Sequence, residues 1–490
     1  IGAIVGGQIE AAEPLIDDTE RAYAATAGEP YEPSVGHAIS VLANVPAWIS
    51  YMRAEIAYLR GDTARALECN RQALAQLGDG DSYLHLMVPS GFVAAADWLC
   101  GQLEQAERLL AEVVAERRSA GEGFLAMRAC YDLGLIQRAE GRMDAALATY
   151  RRALETDAGP AGDQQPFLGM AHVGLAGVLY ERGDLAAALD HATRGVTLCR
   201  QLAFTQSLAT GLATLAQIRQ AQGDAAAAAA AMDEARQVEV SPQVVALLNP
   251  VPSLWARLKL AHGDLAAVAR WAAERGLSAD DEPSYIREPD YLALARMELA
   301  QDLPGRAIVL LGRLLELAAG QGRTGSIIEI QALRALALAA RGDRAAALDA
   351  LAEALDLAGP QGYVRVFADE GAPMHALLTR LAAHRGQQPT ERGITPGYLA
   401  ALLRASRPVS AAPPPARAVP TSPGLVEQLT ARELEILAFL AEGAPNPRIA
   451  EELVVTVDTV KKHVSHVLGK LGAANRTEAV IRAHQLGLIP

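Results

Sequence analysis

The chain has 490 residues, 51% of them hydrophobic and 21% charged, with a formal net charge of −13 and a pI near 5.3. That length holds about three or four domains, or one long repeat array plus a small module, and the acidic balance excludes a surface coated in basic groups, so any contact with nucleic acid must be local. The four cysteines, Cys69, Cys100, Cys130 and Cys199, lack C-x-x-C spacing and read as reduced, mostly buried thiols of a cytoplasmic protein.

No window approaches the roughly 18 uncharged apolar residues of a membrane helix. The N-terminus, Ile1-Gly2-Ala3-Ile4-Val5-Gly6-Gly7, has neither a basic start nor a Met and reads as a cut into a longer protein. From there the chain repeats. Gly61, Gly101, Gly141, Gly183, Gly223, Gly263 and Gly342 each stand between two helical patterns, with spacings of 40, 40, 42, 40 and 40 residues through Gly263. A period of that size predicts a solenoid. Gln301-Asp302-Leu303 takes the missing place before Gly342, and Gly7-Gln8-Ile9 reads as the second half of an earlier unit. Five residues after the glycine stands Ala12, Ala66, Ala106, Ala146, Ala188, Ala228 or Ala347; seven before it stands Ala54, Ala94, Gly134, Ala176, Ala216, Ala256 or Ala335. Small residues at fixed offsets let the helices of a hairpin approach closely. Ile56, Ile136, Val178, Ile218 and Leu258 fill the space between them.

The glycine, the alanine five residues on and the frequent alanine at twelve (Ala73, Ala153, Ala235, Ala354) resemble the tetratricopeptide repeat, in units longer than its roughly 34 residues. The resemblance implies a superhelix whose inner wall binds a small-molecule or peptide effector. Tyr58, Trp98 and Tyr180, each three before its glycine, either line that wall or pack between helices, and packing is favoured. The scattered His85, His172, His191 and His262 read as ordinary helix residues.

The array is predicted to end near Pro360, giving a repeat domain over 1–360. A helical end segment follows over 361–405, carrying Leu377, Leu378 and Leu381. In it Asp369 and Glu370 read as anions at the positive end of the helix that Pro373 begins, in preference to an acid/base pair. Residues 406–424 hold six prolines among Ala, Ser and Val and read as a semi-rigid exposed linker.

Residues 425–490 carry the most specific signal. Thr430-Ala431-Arg432-Glu433 is a capping box ahead of a helix with Leu434, Leu437, Ala438 and Ala441 on one side, stopped by Gly443. Asn446-Pro447 reads as an N-cap with proline at the first helical position, opening a short helix that buries Ile449, Ala450 and Leu453. After the Val454-Val455 turn, Val457 to Leu471 place Val460, Val464, Val467, Leu468 and Leu471 on one stripe, with Lys461, Lys462 and Ser465 on the other side. A second box, Asn475-Arg476-Thr477-Glu478, opens a fourth helix with Val480, Ala483 and Leu486. Two short helices across a tight turn make a helix-turn-helix, and the lysine face suits a DNA major groove. With 7 Lys+Arg against 8 Asp+Glu from Leu425 onward, affinity per monomer is expected to be modest.

Leu429-Thr430-Ala431-Arg432-Glu433, Ile449-Ala450-Glu451-Glu452-Leu453, Thr459-Val460-Lys461-Lys462-His463-Val464, Lys470-Leu471-Gly472 and Arg476-Thr477-Glu478-Ala479 resemble, in order and spacing, the DNA-binding domain of LuxR-type transcriptional regulators. The resemblance implies that Val457 to Leu471 is the recognition helix and that the fourth helix serves dimer contacts. The implied DNA-binding residues are Thr459, Lys461, Lys462, Ser465 and His466, together with Arg448. Pro445 and Arg448 stand where the family has a capping Ser and Glu, and Ala474 replaces a position that is often basic. Repeats, end segment and terminal domain together resemble the large ATP-binding, MalT-like group of these regulators. In that group an ATPase module precedes the repeats; the sequence has no G-x-x-x-x-G-K-[ST], so no cofactor is expected in this chain and ATP is expected on an upstream module.

The sequence therefore predicts an all-α protein, a tetratricopeptide-like α-solenoid followed by a four-helix LuxR-type helix-turn-helix domain. The function expected is a DNA-binding transcriptional regulator, an activator by the family's habit. Its expected partners are double-stranded promoter DNA, RNA polymerase, other copies of itself and an effector on the solenoid, with no membrane. A scaffold whose terminal domain only pairs with protein is the alternative, and it would leave Lys461 and Lys462 without a purpose. An enzyme would need a nucleophile with its base, a metal cluster or a phosphate loop, and the sequence offers none.

Overall fold

The computed structural model describes residues 9–25, 44–77, 89–156, 165–201, 205–238, 240–385 and 394–407. Toward the C-terminus it describes 436, 437, 439–441, 444–452, 460, 461, 464, 467, 468, 470, 471, 473 and 475–485. The described residues form helices and short turns, with no strand among them. Contacts divide the chain into two units, Ile1–Pro408 and Val409–Pro490.

In the first unit α1 (Ile9–Ala25) precedes a run of hairpins: α2 (Val45–Leu59) with α3 (Thr63–Ala75), α4 (Pro89–Leu99) with α5 (Leu103–Ser119), α6 (Gly123–Ala139) with α7 (Met143–Thr156), and α8 (Gly169–Glu181) with α9 (Leu185–Gln201). The run continues with α10 (Thr205–Ala221) and α11 (Ala225–Gln237), α12 (Val251–Ala261) and α13 (Leu265–Glu274), α14 (Glu288–Ala300) and α15 (Pro304–Gly320), then α16 (Thr324–Arg341) and α17 (Arg344–Ala358).

One residue pair makes the reversal. Gly61 stands at φ 76°; its N–H reaches the Tyr58 carbonyl at 2.8 Å, and the Asp62 N–H reaches Ala57 at 2.9 Å, which closes off carbonyls that a helix end leaves unpaired. Asp62 then accepts the Arg65 N–H at 3.0 Å and caps the next helix. Asp184, Asp224, Asp264 and Asp343 do the same, at 3.0 to 3.2 Å, after their own glycines. In the seventh hairpin Asp302 takes the left-handed conformation itself, at φ 59°, which Asp tolerates better than most side chains.

The alanines at both fixed offsets are buried, as are Ile56, Ile136, Val178, Ile218 and Leu258. Unit three departs from the pattern for a steric reason. A Cβ on Gly134 or on Gly174 would overlap the fully buried Tyr150 ring, whose hydroxyl donates to the Tyr131 carbonyl at 3.1 Å.

The array winds tightly enough that its later part seals its earlier part. The carbonyls near the C-terminal ends of α2, α4, α6 and α8 accept from groups about half a chain away. Val245 N–H donates to Leu59 at 2.9 Å, Gln321 Nε2 to Cys100 at 3.1 Å, the Tyr363 hydroxyl to Arg138 at 3.4 Å, and Val364 N–H to Glu181 at 2.8 Å. Val366 N–H reaches Glu181 Oε1 at 2.8 Å, and Asp144 N–H reaches Gln361 Oε1 at 3.1 Å. Helix ends that would otherwise need water are thus paired across successive turns of the superhelix.

After α17 come α18 (Arg365–Ala368), α19 (Gly371–Arg385) and α20 (Pro396–Ala405). Tyr363, Phe367, Met374, Leu377, Leu378, Leu381 and Leu402 share one apolar cluster with Tyr150, Val178 and Ala188. Asp369 and Glu370 directly precede α19, as the helix-end reading has it, although the helix starts at Gly371 and not at Pro373, and both acids have arginine partners besides. Asp369 pairs with Arg365 and accepts from the Tyr180 hydroxyl, while Glu370 pairs with Arg296 at 2.6 Å and lies 3.8 Å from Arg257. Glu329 joins the same group; burial pushes its carboxyl up, but Arg296 and Arg257 together hold it below its ordinary range. Buried guanidiniums need close carboxylates, and these acids supply them.

The second unit contains α21 (Asn446–Glu452) and α22 (Arg476–Gln485), with helical backbone also at 436, 437, 439–441, 460, 461, 464, 467, 468, 470 and 471. Ile436, Leu440, Ala444, Ile449, Ala450 and Val460 make one apolar cluster, and Leu437, Val467, Leu471, Ala479 and Ala483 make another. Ala441, expected on the buried side, is exposed; Ile436 and Leu440 are buried in its stead. Thr430, Leu434, Ala438, Leu453 and Leu486 lie outside the described residues.

Candidate nucleic-acid interface

The orientation of the lysine-bearing stretch follows from its apolar side. Val460, Val467 and Leu471 are at most 3% exposed, while Val464 and Leu468 are half-buried, so the stripe at i, i+4, i+7, i+8 and i+11 faces the core. Lys461, one residue after a fully buried valine, is exposed. Successive helix residues point about 100° apart, so a stripe held in the core directs its neighbours outward.

Arg448 is also exposed, on α21. That helix starts one residue earlier than the sequence suggests. The Pro445 carbonyl accepts from Ile449 N–H at 3.1 Å, which puts Pro445 at the cap and Asn446 inside the first turn. At α22 the expected cap is present: Asn475 Oδ1 accepts from Glu478 N–H at 2.9 Å. Thr459, Lys462, Ser465 and His466 lie outside the described residues, so of the six implied DNA-binding side chains Lys461 and Arg448 have a described position, both at the surface.

Arg476 has a role that motif reading missed. Its Nη2 donates to the Ala444 carbonyl at 2.7 Å, tying the start of α22 to the residues that lead into α21. A long side chain reaching a backbone carbonyl 32 residues away leaves no spacing signal in the sequence; its place right after a capping Asn was the available hint.

In the solenoid, Tyr58, Trp98 and Tyr180 are all buried, at 4%, 2% and 7% exposure, so packing between helices decides their placement. Trp98 Nε1 donates to the Tyr285 hydroxyl at 3.2 Å across the seam, and burial together with Asp369 pushes the Tyr180 phenol well above its usual range. Tyr58 and Trp98 nevertheless border a recess that also takes in Phe124, Arg128, Asp132 and Leu248. His172 and His191 meet through their Nδ1 atoms at 2.8 Å, and His262 Nε2 meets Gln220 Oε1 at 2.9 Å. Among the described residues no group of three or more His, Cys, Asp or Glu side chains could hold a metal ion, and no helix is long and apolar enough to cross a membrane.

Comparison with known proteins agrees with this division. Residues 47–384 match the family model of the MalT-like TPR region, and residues 427–483 match that of bacterial regulatory proteins of the luxR family. The transcriptional regulatory protein LiaR of Bacillus subtilis is 49% identical over 63 residues, 13% of this chain and 30% of that protein. The nitrate/nitrite response regulator protein NarL of Escherichia coli K12 is 40% identical over 127 residues, 26% of this chain and 51% of that protein. The chain thus spans between about a third and about half of the length of these relatives. Among solved structures, a Rap protein complexed with competence and sporulation factor aligns with 82% of this chain and 92% of its own, at 12% identity and a TM-score of 0.38.

Proposed function

From a chain that belongs to the MalT-like TPR family and ends in a luxR-family module, which together make it a DNA-binding transcriptional regulator, we propose an activator whose solenoid answers an effector and whose terminal helix-turn-helix reads promoter DNA. The observation that carries the DNA-facing assignment is the contrast at consecutive positions: Val460 fully buried in the core of the second unit, Lys461 exposed. In this reading Thr459, Lys461, Lys462, Ser465 and His466 meet phosphates and base edges, Arg448 adds a phosphate contact, and Arg476 steadies the approach to α21.

Self-association follows as the way a modest single head gains affinity. Two heads tethered to associated solenoids bind adjacent half-sites as an intramolecular event, with gains of about 10² to 10⁴ and no new contact. RNA polymerase is the further partner of such an activator. The sequence contains no phosphate loop to cradle a nucleoside triphosphate, so the reading routes no step through ATP and assigns any ATP-binding role to a module outside these residues.

A salt titration tests the assignment. The full chain is titrated with a duplex enriched from a random pool and with its scrambled counterpart. Lys461→Ala is expected either to weaken both duplexes alike and flatten the log K against log salt slope by roughly 1, or to cost about 1–3 kcal/mol on the selected duplex only. The first outcome marks a phosphate contact and the second a base contact. Binding of both duplexes equal to the parent's overturns the recognition-helix assignment.

A further inference from the structure

The recess beside Tyr58 and Trp98 is lined by the first helices of the first five hairpins, α2, α4, α6, α8 and α10, and closed by Leu247, Leu248 and Pro250 from the stretch before α12. It encloses about 80 Å³, room for several waters or a small polar head group. Its apolar wall is aromatic: Tyr58, Trp98, Phe124 and Tyr131 all border it. Its polar wall carries Arg128, Asp132, Gln206, Ser207 and Thr210, and Glu55, outside the lining, pairs with Arg128. Glu55 lies 3.2 Å from Arg128 and Asp132 lies 3.6 Å from the same guanidinium, so two carboxylates share one cation. All three are set back from solvent, with side chains 31%, 10% and 19% exposed for Arg128, Glu55 and Asp132.

An anion entering here would meet a guanidinium already held by two carboxylates, leaving three negative charges around one positive in a place with little water to screen them. A metal ion would need a cage of oxygens with matching negative charge, whereas the single lining carboxylate, Asp132, already lies beside a guanidinium. An ammonium group restores the charge balance, and the aromatic faces attract it. We propose that this recess binds a small organic cation, an ammonium carried on an aromatic or branched apolar body, with Asp132 as its counter-ion. That the recess is the effector site rests on the regulator reading above; that it binds a cation does not.

Burial pushes the Asp132 carboxyl up to about 6, with Arg128 opposing the shift and Glu55 adding to it. Those are the charged groups that face it, Arg128 in the wall and Glu55 outside the lining; the Tyr58, Tyr131 and Tyr150 phenols also feel its charge and are themselves pushed up by burial. A cation bound by the ionised carboxylate therefore gains affinity as pH rises through that value, a dependence that mere structural support would not produce.

The experiment is calorimetric titration of the full chain with phenethylammonium, phenethyl alcohol and 3-phenylpropionate, three probes that share an apolar body and differ in head group. The ammonium is expected to bind at least tenfold more tightly than the alcohol, with no measurable binding of the carboxylate and weaker binding below the Asp132 transition than above it. Asp132→Asn is expected to lose that tenfold preference. Because Asp132 also supports Arg128, Phe124→Ala provides a second variant at a position 37% exposed, expected to weaken the ammonium severalfold while the fold persists. Absence of ammonium binding at millimolar concentration, equal binding of the three probes, or affinity unchanged in both variants overturns the proposal. The ammonium preference with its loss in the variants supports it whether or not the same sample shifts DNA, so failure to shift DNA overturns only the regulator reading.

Discussion

Glu181 sits where two turns of the superhelix meet, its carbonyl accepting Val364 N–H and its Oε1 accepting Val366 N–H. Burial pushes its carboxyl from 4.5 up to about 7; the Val366 N–H and Arg138 oppose the shift, and Asp369 and Glu329 add to it. A carboxyl raised in the folded state contributes stability that is complete below its unfolded value and disappears as pH rises through its folded value. Ionising it at pH 8 thus weakens the seam, at a cost of at most about 3 kcal/mol. Glu181→Gln keeps an oxygen for Val366 and removes the charge. Its stability in urea is expected to match the parent's near pH 4.5 and to exceed it at pH 8. A variant less stable than the parent at both values would mean that the carboxylate supports the seam instead of straining it.

At the scale of the helices, two missing methyl groups, at Gly134 and Gly174, fix how α6, α7 and α8 pack. Alanine is the better helix former by about 1 kcal/mol, so on propensity alone Gly134→Ala should stabilise α6. The Tyr150 ring fills the space a Cβ would need, and its hydroxyl is tied to Tyr131, so overpacking at about 1–3 kcal/mol is expected to win. Chemical unfolding of Gly134→Ala, of Tyr150→Leu and of the double variant separates the two effects. The double variant should recover much of the loss, and additive losses would contradict the steric account. The same position shows where the sequence speaks and where it is silent. The hairpins were legible because a left-handed turn selects glycine and a close crossing selects alanine, leaving a mark at every repeat; even Asp302 was legible from its place in the count. The stripe from Val460 to Leu471 was legible for the same reason, since a helix that buries one side must repeat its apolar residues. The seam was not. Three of its bonds run from the Val245, Val364 and Val366 N–H groups, which every residue but proline possesses, and the side-chain bonds of Gln321, Tyr363 and Gln361 likewise reach partners about 180 to 225 residues away, so no local pattern betrays them. The partners of Glu370 were hidden likewise, because Arg296 and Arg257 lie outside any local window, whereas Asp369 pairs with Arg365 only four residues away.

For the whole molecule, the composition of the two cores bears on how function is distributed. Among the described residues, both apolar clusters of the second unit draw on side chains between Ile436 and Ala483, joined by the Asn475 cap and the Arg476 strut. A set of side chains that closes on itself needs nothing from the solenoid, so a fragment of residues 425–490 is expected to unfold cooperatively in its own right. The converse test places a charge in the solenoid. Leu258 packs in a cluster with Ala216, Ala228 and Met232, and Leu258→Asp strands a carboxylate there at a cost of several kcal/mol. That variant should lose solenoid helicity and protease resistance while still binding a single half-site duplex with the fragment's affinity and salt slope. On a duplex carrying two half-sites the parent should bind more tightly than either if, as proposed, associated solenoids hold two heads at high effective concentration. If the variant matched the parent on the double site, self-association through the solenoid would contribute nothing to DNA binding. If it failed even on the single site, the terminal unit would depend on the repeats for its own fold, which a core built from residues 436 to 483 gives no reason to expect.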